Sequence, residues 1–257
     1  MNVISEQLDK KGFYLSRKVF SDKQVDNSKE AFWDVINCKY ETGIEPEARF
    51  WNYGDNPKSI IKIDKPHLSS NVLHELISFK KFGELLAHIT DSKKIQVWHT
   101  QGVWKPAGGG GDGNAGWHRD IQYWPFWAPV GVFTAWIALS EVCSKSGPVR
   151  YITSSNKWNK VEGVDFFDKN ISSQDLLIQL SHSNYTIVNA KLEKGSLAVH
   201  TSETYHSSVE NTSERPRVGM VVHFCTDQAQ KLNKNNEYSK YLNNLKDHDI
   251  CPVIYDS

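Results

Sequence analysis

The 257-residue sequence lacks an excess of either charge, because 30 Lys and Arg residues are balanced by 30 Asp and Glu residues. A neutral chain creates no long-range field that attracts nucleic acid or an anionic membrane surface. The sequence also lacks any run near the roughly 18 apolar residues that a membrane span needs, and it has no internal repeat of the kind that builds solenoids. We therefore expect a globular protein that binds a small molecule, without nucleic acid, a membrane or an obligate protein partner.

Cysteine is scarce and scattered. The four cysteines form no CxxC pair: Cys38, Cys143, Cys225 and Cys251. This spacing excludes the usual zinc motifs and is untypical of a disulfide framework. Charged residues within positions 1–15 precede any apolar run, so the N-terminus does not resemble a signal peptide. We expect a cytoplasmic protein.

Residues 1–94 predict a mainly helical segment. Ser21 and Gln24 form a capping-box pattern ahead of an apolar stripe, and positions 70–89 fit two short helices. Between them, positions 43–68 are rich in proline, glycine and aromatic residues. This composition predicts an ordered surface loop that acts as a lid over a site.

From position 95 the pattern changes to short apolar runs separated by turn residues. Six runs predict strands: 95–104, 131–139, 148–152, 185–192, 196–200 and 217–224. Strands of this number and spacing indicate a barrel or jelly roll core over 95–226, interrupted by a helix over 172–181. A polar helical tail is predicted for 227–257. The whole chain, 1–257, is predicted to be a single domain, mainly β with flanking helices.

The tripeptide His118-Arg119-Asp120 carries the first chemical signal. On a strand, residues i and i+2 share a face, so His118 and Asp120 would aim an imidazole and a carboxylate at one point. A tripeptide of this kind arises often by chance, so a further ligand has to converge on it. The preceding glycine-rich run, 107–116, lacks the GK[ST] of a phosphate-binding loop and predicts an ordinary loop.

A second signal lies in the segment from Gly195 to Arg217. A strand, a turn and His206 at the start of the next element would complete a face of two histidines and one carboxylate, which leaves open positions on a ferrous ion. His200 and His223 are the competing third ligands. Arg217 would point inward from the last strand toward an anion. Its rival Arg215 precedes Pro216, which favours a turn.

The order of these motifs carries a resemblance to a known family. The matching positions run from about Gln96 to Phe224: Gln101, Lys105-Pro106, Trp117 to Asp120, Tyr123 to Pro125, Gly147-Pro148, Ser154 to Trp158, and Tyr205 to Ser208 followed by Arg217. In this order and spacing the sequence resembles the phytanoyl-CoA dioxygenase-like Fe(II)/2-oxoglutarate-dependent oxygenases. The resemblance implies a double-stranded β-helix, a cupin-like jelly roll, as the core.

The resemblance also implies roles for individual residues. His118, Asp120 and His206 would hold Fe(II) and form the catalytic centre. Arg217 would pair with the distal carboxylate of 2-oxoglutarate, with four further residues around the cosubstrate: Ser208, Gln101, Lys105 and Trp158. Because Asp120 supplies a carboxylate, halogenation is disfavoured.

The implied activity is hydroxylation of an unactivated C–H bond by O2, with release of succinate and CO2. Desaturation, epimerisation or ring formation would use the same site, and a catalytically inactive interaction module or a metal hydrolase are alternatives of other classes. The candidate substrate contacts are Tyr123, Trp124, Trp104 and, in the lid segment, Arg49. The three aromatic residues fit a core role as well.

Overall fold

The computed structural model describes residues 2–232 and 239–257. In these ranges the helices are α1 (Val3–Lys11), α2 (Asp22–Ile36), α3 (Asn71–Ile77), α4 (Lys80–Thr90), α5 (Ile171–Ser181) and α6 (Ser239–Asn244). The strands are β1 (Phe13–Leu15), β2 (Ala48–Arg49), β3 (Ile61–Asp64), β4 (Lys94–Lys105), β5 (Ala115–His118), β6 (Val132–Ala138), β7 (Val149–Ile152), β8 (Ile187–Asn189), β9 (Leu197–Thr201), β10 (His206–Ser208), β11 (Arg217–Thr226) and β12 (Val253–Asp256). Among these residues, no helix is both long and apolar enough to cross a membrane.

The strands form two antiparallel sheets. The larger sheet has the order β1-β9-β6-β11-β4-β3-β2, and β12 adds to β4. The smaller sheet has the order β5-β10-β7-β8. Both sheets contribute side chains to one cavity. This arrangement confirms the expected mainly β jelly roll with flanking helices.

The large sheet is buried on both faces. Along β11, Met220, Val222 and Phe224 belong to the core cluster that also contains Phe32 of α2 and Leu86 of α4. Arg217, Val221 and His223 of the same strand line the cavity on the opposite face. Alternate side chains of a strand point to opposite faces, so one strand packs against the helices and furnishes the site at the same time.

The helix starts follow the capping patterns in the sequence. Ser21 caps α2 through the predicted capping box with Gln24, and α3 and α4 occupy the predicted 70–89 region. The helix predicted for 172–181 begins at Ile171 instead, because the Asn170 side chain accepts a hydrogen bond from the Ser173 amide. Caps of this kind satisfy amide groups that the first helical turn leaves unpaired.

Three segments differ from the sequence-based prediction. The predicted loop 43–68 contains β2 and β3, and β3 pairs with β4 from Ile61 to Asp64. The N-terminal part also contains β1, which pairs with β9. The C-terminal tail carries β12, which pairs with β4. Positions 233–238 of the predicted helical tail lie outside the described residues. In each case long-range pairing overrides the local signal.

Candidate active site

A cavity of about 320 Å³ lies between the two sheets. Its polar lining residues include His118, Asp120, His206, Arg217, Ser208 and Gln101, and its apolar ones include Val103, Val149 and Val221. Cavities of this size with a few convergent polar groups are typical of small-molecule sites.

His118 and His206 face each other across the smaller sheet. They are directly opposed residues on the antiparallel strands β5 and β10. The Nδ1 atom of His118 lies 2.7 Å from the Gly116 carbonyl oxygen, and that of His206 lies 2.9 Å from the Thr204 carbonyl oxygen. A carbonyl only accepts, so both Nδ1 atoms carry the proton, and each Nε2 keeps a free lone pair for a metal.

Asp120 reaches the same point by a different route from the predicted one. The strand β5 ends at His118, and Asp120 opens a 3₁₀ turn that continues to Tyr123. Its Oδ1 atom nevertheless lies 3.8 Å from His118 Nε2 and 3.6 Å from His206 Nε2. One ligand atom from each of the three residues lies within 4.8 Å of the others. This spacing fits a single divalent ion bound by two histidines and a carboxylate.

The second carboxylate oxygen of Asp120 is held by protein groups. Its Oδ2 atom accepts a hydrogen bond of 2.5 Å from Thr134 Oγ1 and lies 3.1 Å from His200 Nε2. The Nδ1 atom of His223 lies 2.8 Å from the same Thr134 hydroxyl. His200 and His223, the alternative third ligands suggested by the sequence, therefore contact Asp120 Oδ2 and the Thr134 hydroxyl. Only Oδ1 of Asp120 faces His118 and His206.

The protonation states suit metal binding. Burial lowers the pKa of both His118 and His206, and the neighbouring ring of His118 lowers the pKa of His206 further. Burial by itself raises the pKa of Asp120, but the His206 and His200 rings outweigh it and hold that pKa well below its ordinary value. Neutral imidazoles and an ionised carboxylate are the forms that coordinate a metal.

Arg217 is a buried cation in the lining of the same cavity. Its side chain is 2% exposed, and burial lowers its pKa to about 10, so it remains charged near neutral pH. One amino group donates to the Gly147 carbonyl at 2.7 Å, whereas Nε has no hydrogen-bond partner among the described residues. A buried guanidinium with an unused donor is a binding group for an anion.

Lys105 adds a second cation beside Arg217. Its ammonium, which is 0% exposed, donates to Ser208 Oγ at 2.5 Å and to the Val209 carbonyl. Burial, followed by the nearby charge of Arg217, lowers the pKa of Lys105 well below its ordinary value. No carboxylate in residues 2–232 or 239–257 forms an ion pair with Lys105 or Arg217. Burying two cations without a carboxylate partner costs free energy, and a bound organic carboxylate would offset that cost.

The structure brings only some of the other predicted residues to the cavity. Gln101 lines it. Tyr123 lies behind it, with a ring-centroid distance of 6.0 Å to His118 and a hydrogen bond from its hydroxyl to Asp165. Trp124 packs edge-on against His223 within an aromatic core cluster. Both residues therefore support the site from outside its lining.

Three further predicted contact residues lie away from the cavity lining. Trp158 stacks on His182 at 3.7 Å in a separate core cluster. Trp104 lies on the face of β4 that the helices cover, where it packs against Trp33 of α2. Arg49 donates to the carbonyl groups of Val35 and Ile36 at the end of α2. None of the three belongs to the described lining of the cavity.

Sequence reasoning missed four residues near the mouth of the cavity. They are Lys62, Phe166, Phe167 and Lys169. The alternation in Ile61-Lys62-Ile63 is a strand signal that would have placed Lys62 on the face opposite the apolar core. The adjacent Phe166 and Phe167 carry no comparable signal, because their loop reaches the site only through tertiary packing.

The fold and the side-chain arrangement define the class of non-haem iron oxygenases built on a double-stranded β-helix. The model of the family "Phytanoyl-CoA dioxygenase (PhyH)" matches residues 8–219, and the chain belongs to this family. This match confirms the resemblance seen in the sequence and the expected class of Fe(II)/2-oxoglutarate oxygenases.

A curated relative and several solved structures are also similar. The probable alpha-ketoglutarate-dependent hypophosphite dioxygenase of Stutzerimonas stutzeri is 23% identical over 195 residues, which cover 73% of this chain and 65% of that protein. The match thus spans slightly less than two thirds of the relative. The alpha-ketoglutarate-dependent carbocyclase SnoK of nogalamycin biosynthesis has a TM-score of 0.72 at 16% identity, covering 93% of this chain and 90% of SnoK. EctD from S. alaskensis, solved with 2-oxoglutarate and 5-hydroxyectoine, has a TM-score of 0.66 at 16% identity, covering 86% and 74%. These structural likenesses confirm the fold.

Proposed function

We propose that the chain is an Fe(II)- and 2-oxoglutarate-dependent dioxygenase that hydroxylates an unactivated C–H bond of a small-molecule metabolite. One observation carries the proposal: the cluster of His118, Asp120 and His206 opens into the same cavity as the unpaired buried cation Arg217. A metal hydrolase has no need for a guanidinium placed to receive a second anion.

In this proposal each residue has a defined task. His118, Asp120 and His206 bind the ferrous ion, while Arg217, assisted by Lys105 and Ser208, binds the distal carboxylate of 2-oxoglutarate. When bound, the ion and 2-oxoglutarate supply the chemistry that activates O2 and releases succinate and CO2. The side chains on this chain orient the ligands, hold the negative charge on Asp120 and keep water out of the apolar part of the cavity.

The fate of the substrate defines the remaining alternatives. Desaturation, epimerisation and ring formation would use the same ligands, and the structural neighbours include a carbocyclase and an epimerase. Analysis of the product distinguishes these reactions from hydroxylation. An inactive interaction module would have no reason to keep three potential metal ligands and Arg217 together in one buried cavity.

The proposal also covers the setting of the enzyme. The chain acts as one domain over 1–257, with residues 43–68 as a cover over the site, since Phe50, Ile60 and Lys62 of this segment line the cavity. A cytoplasmic location suits the four cysteines, all of which are free.

Anaerobic titration with Fe(II) and then 2-oxoglutarate tests the proposal. The expected result is a weak visible charge-transfer band of the metal chelate in the wild-type protein, and its loss in Asp120→Ala. Asp249→Ala, a change of an exposed carboxylate, is the matched control and should keep the band. A wild-type protein that binds Fe(II) but gives no band with 2-oxoglutarate contradicts the proposal.

A further inference from the structure

Two lysines stand at the mouth of the cavity, apart from the cations at Arg217 and Lys105. Lys62 comes from β3, and Lys169 lies just before α5. Both line the cavity, and their Nζ atoms lie 5.6 Å and 5.5 Å from the centre of the Phe166 ring. The fold therefore brings two ammonium groups from distant parts of the chain around one aromatic ring.

Lys62 has only a long ion pair, and Lys169 has none within the described residues. The nearest carboxylate oxygen to Lys62 is Asp64 Oδ1 at 4.0 Å, and the other oxygen of Asp64 lies 3.5 Å from His99. Lys169 donates to the Asn114 carbonyl at 2.5 Å, and it has no ion pair within the described residues. The mouth is left with positive charge that a ligand can complement.

The charge of the cavity as a whole supports this view. Asp120 is the only carboxylate among the described lining residues, which include three cationic side chains: Lys62, Lys169 and Arg217. A doubly charged metal and a doubly charged cosubstrate cancel each other. The cavity therefore stays positive after both are bound, and it attracts a further anion.

The mouth also exposes aromatic surface. Phe50 is 58% exposed and Phe167 is 66% exposed, although both line the cavity. Exposed aromatic groups beside a pocket are typical of a binding surface for an apolar group. The cavity measures only about 320 Å³, and 2-oxoglutarate would fill part of it. A substrate bound beside the cosubstrate would therefore extend toward these rings.

We propose that the substrate is a small organic oxyanion, a carboxylate or a phosphorus oxyanion, whose charged group binds between Lys62 and Lys169 and whose apolar part packs against Phe166, Phe50 and Phe167. This inference rests on the proposed function and names the substrate class of the same site.

The test uses matched probes on the full-length protein loaded anaerobically with Fe(II) and 2-oxoglutarate. The probes are 3-phenylpropanoate, 2-phenylethylphosphonate and the neutral 3-phenylpropanamide, and their binding is followed by calorimetry and by the shift of the chelate band. We expect at least one anion to bind about 10-fold more tightly than the amide, because a charge-assisted contact to a lysine stabilises the anion and not the neutral amide. The tighter of the two anions identifies the preferred oxyanion.

Substitutions assign the effect to the two lysines. Lys62→Met and Lys169→Met should each weaken binding of the anions about 10-fold and leave binding of the amide unchanged, whereas Lys62→Arg should retain most of the affinity. Lys191→Met, at an exposed site, is the control. Equal affinity for amide and anions, no binding of either anion, or wild-type affinity in both Met variants overturns the inference. Failure of the proposed function is distinct, because it appears as the absence of a chelate band before any probe is added.

Discussion

His118 and His206 are directly opposed across neighbouring antiparallel strands, and their ring centroids lie 4.1 Å apart. The backbone register alone therefore brings the two imidazoles together. Each ring is turned by a hydrogen bond from Nδ1 to a carbonyl two residues earlier in the chain. Two residues far apart in sequence are thus prearranged as the proposed pair of metal ligands, so metal binding would require little ordering of side chains.

The choice of third ligand is testable by comparing two histidines. His206→Ala should abolish binding of Fe(II), because it removes an Nε2 atom that faces Asp120 Oδ1. His200→Asn should retain the metal with affinity lowered about 10- to 100-fold, since His200 contacts only the other oxygen of Asp120. Equilibrium binding of Fe(II) under anaerobic conditions measures both, and the reverse order would reassign the ligand.

Arg217 should control the requirement for 2-oxoglutarate. In Arg217→Met we expect the concentration for half-maximal formation of the chelate band to rise about 10- to 100-fold, through loss of a charge-assisted contact. Binding of Fe(II) alone should stay close to that of the wild type. If the 2-oxoglutarate requirement does not change, Lys105 is the principal anion-binding group, and Lys105→Met should then show the larger effect.

Thr134 should act as a positioning residue for Asp120. Thr134→Val removes the hydrogen bond to Oδ2 while nearly keeping the volume, and it should weaken Fe(II) binding about 10-fold or more. Thr134→Ser restores the hydroxyl and should restore the affinity. Similar weakening in the Val and Ser variants would indicate that packing, rather than the hydrogen bond, is responsible.

Arg49 should stabilise the fold without affecting the chemistry. Arg49→Met removes two hydrogen bonds to carbonyls at the end of α2 and should lower the free energy of unfolding by about 1 to 3 kcal/mol. Urea denaturation measures this change. Binding of 3-phenylpropanoate to the protein loaded with Fe(II) and 2-oxoglutarate should match that of the wild type, and a selective loss of that affinity would return Arg49 to the substrate site.

His67 should make stability depend on pH. Burial lowers its pKa from 6.5 to about 3, so between these values the unfolded chain binds a proton that the folded protein does not. The free energy of unfolding should therefore fall as pH drops below about 6.5, with a contribution near 1.4 kcal/mol per pH unit from this residue. His223 shows a similar shift, to about 3.

The variant His67→Gln isolates this contribution. Its unfolding free energy between pH 6 and 4 should fall less steeply than that of the wild type, by about 1.4 kcal/mol per pH unit. His248→Gln, at an exposed position, is the control. Parallel pH profiles for the wild type and His67→Gln would contradict the assignment.

Several features followed from the sequence because their signals are local. The alternation in positions 217–224 predicted a strand with Arg217 on one face, and the capping pattern at Ser21 predicted the start of α2. The spacing of His118 and Asp120 and the position of Arg217 were sufficient to propose a pair of metal ligands and an anion site, and the family resemblance added His206. Such signals need only the periodicity of the backbone and the chemistry of the side chains.

Other features depended on packing between distant segments. The sequence suggested that Arg49 and Trp104 face a substrate, but Arg49 on β2 donates to carbonyls at the end of α2, and Trp104 on β4 packs against Trp33 of α2. It also suggested that His118 and Asp120 share a strand, whereas a 3₁₀ turn brings the carboxylate into place. These outcomes depend on which face of the sheet the helices cover, and local periodicity cannot specify that choice.

By itself the sequence predicted the mainly β core, the pair His118 and Asp120 and an inward-facing Arg217, because these rest on residue type and local periodicity, and the family resemblance added His206 as the third ligand. Only the tertiary structure decided that Thr134 and His200 hold Asp120, and that Lys62 and Lys169 meet around Phe166. Those contacts join residues far apart in the chain, and they exist because antiparallel pairing and the packing of two sheets place their side chains in one cavity.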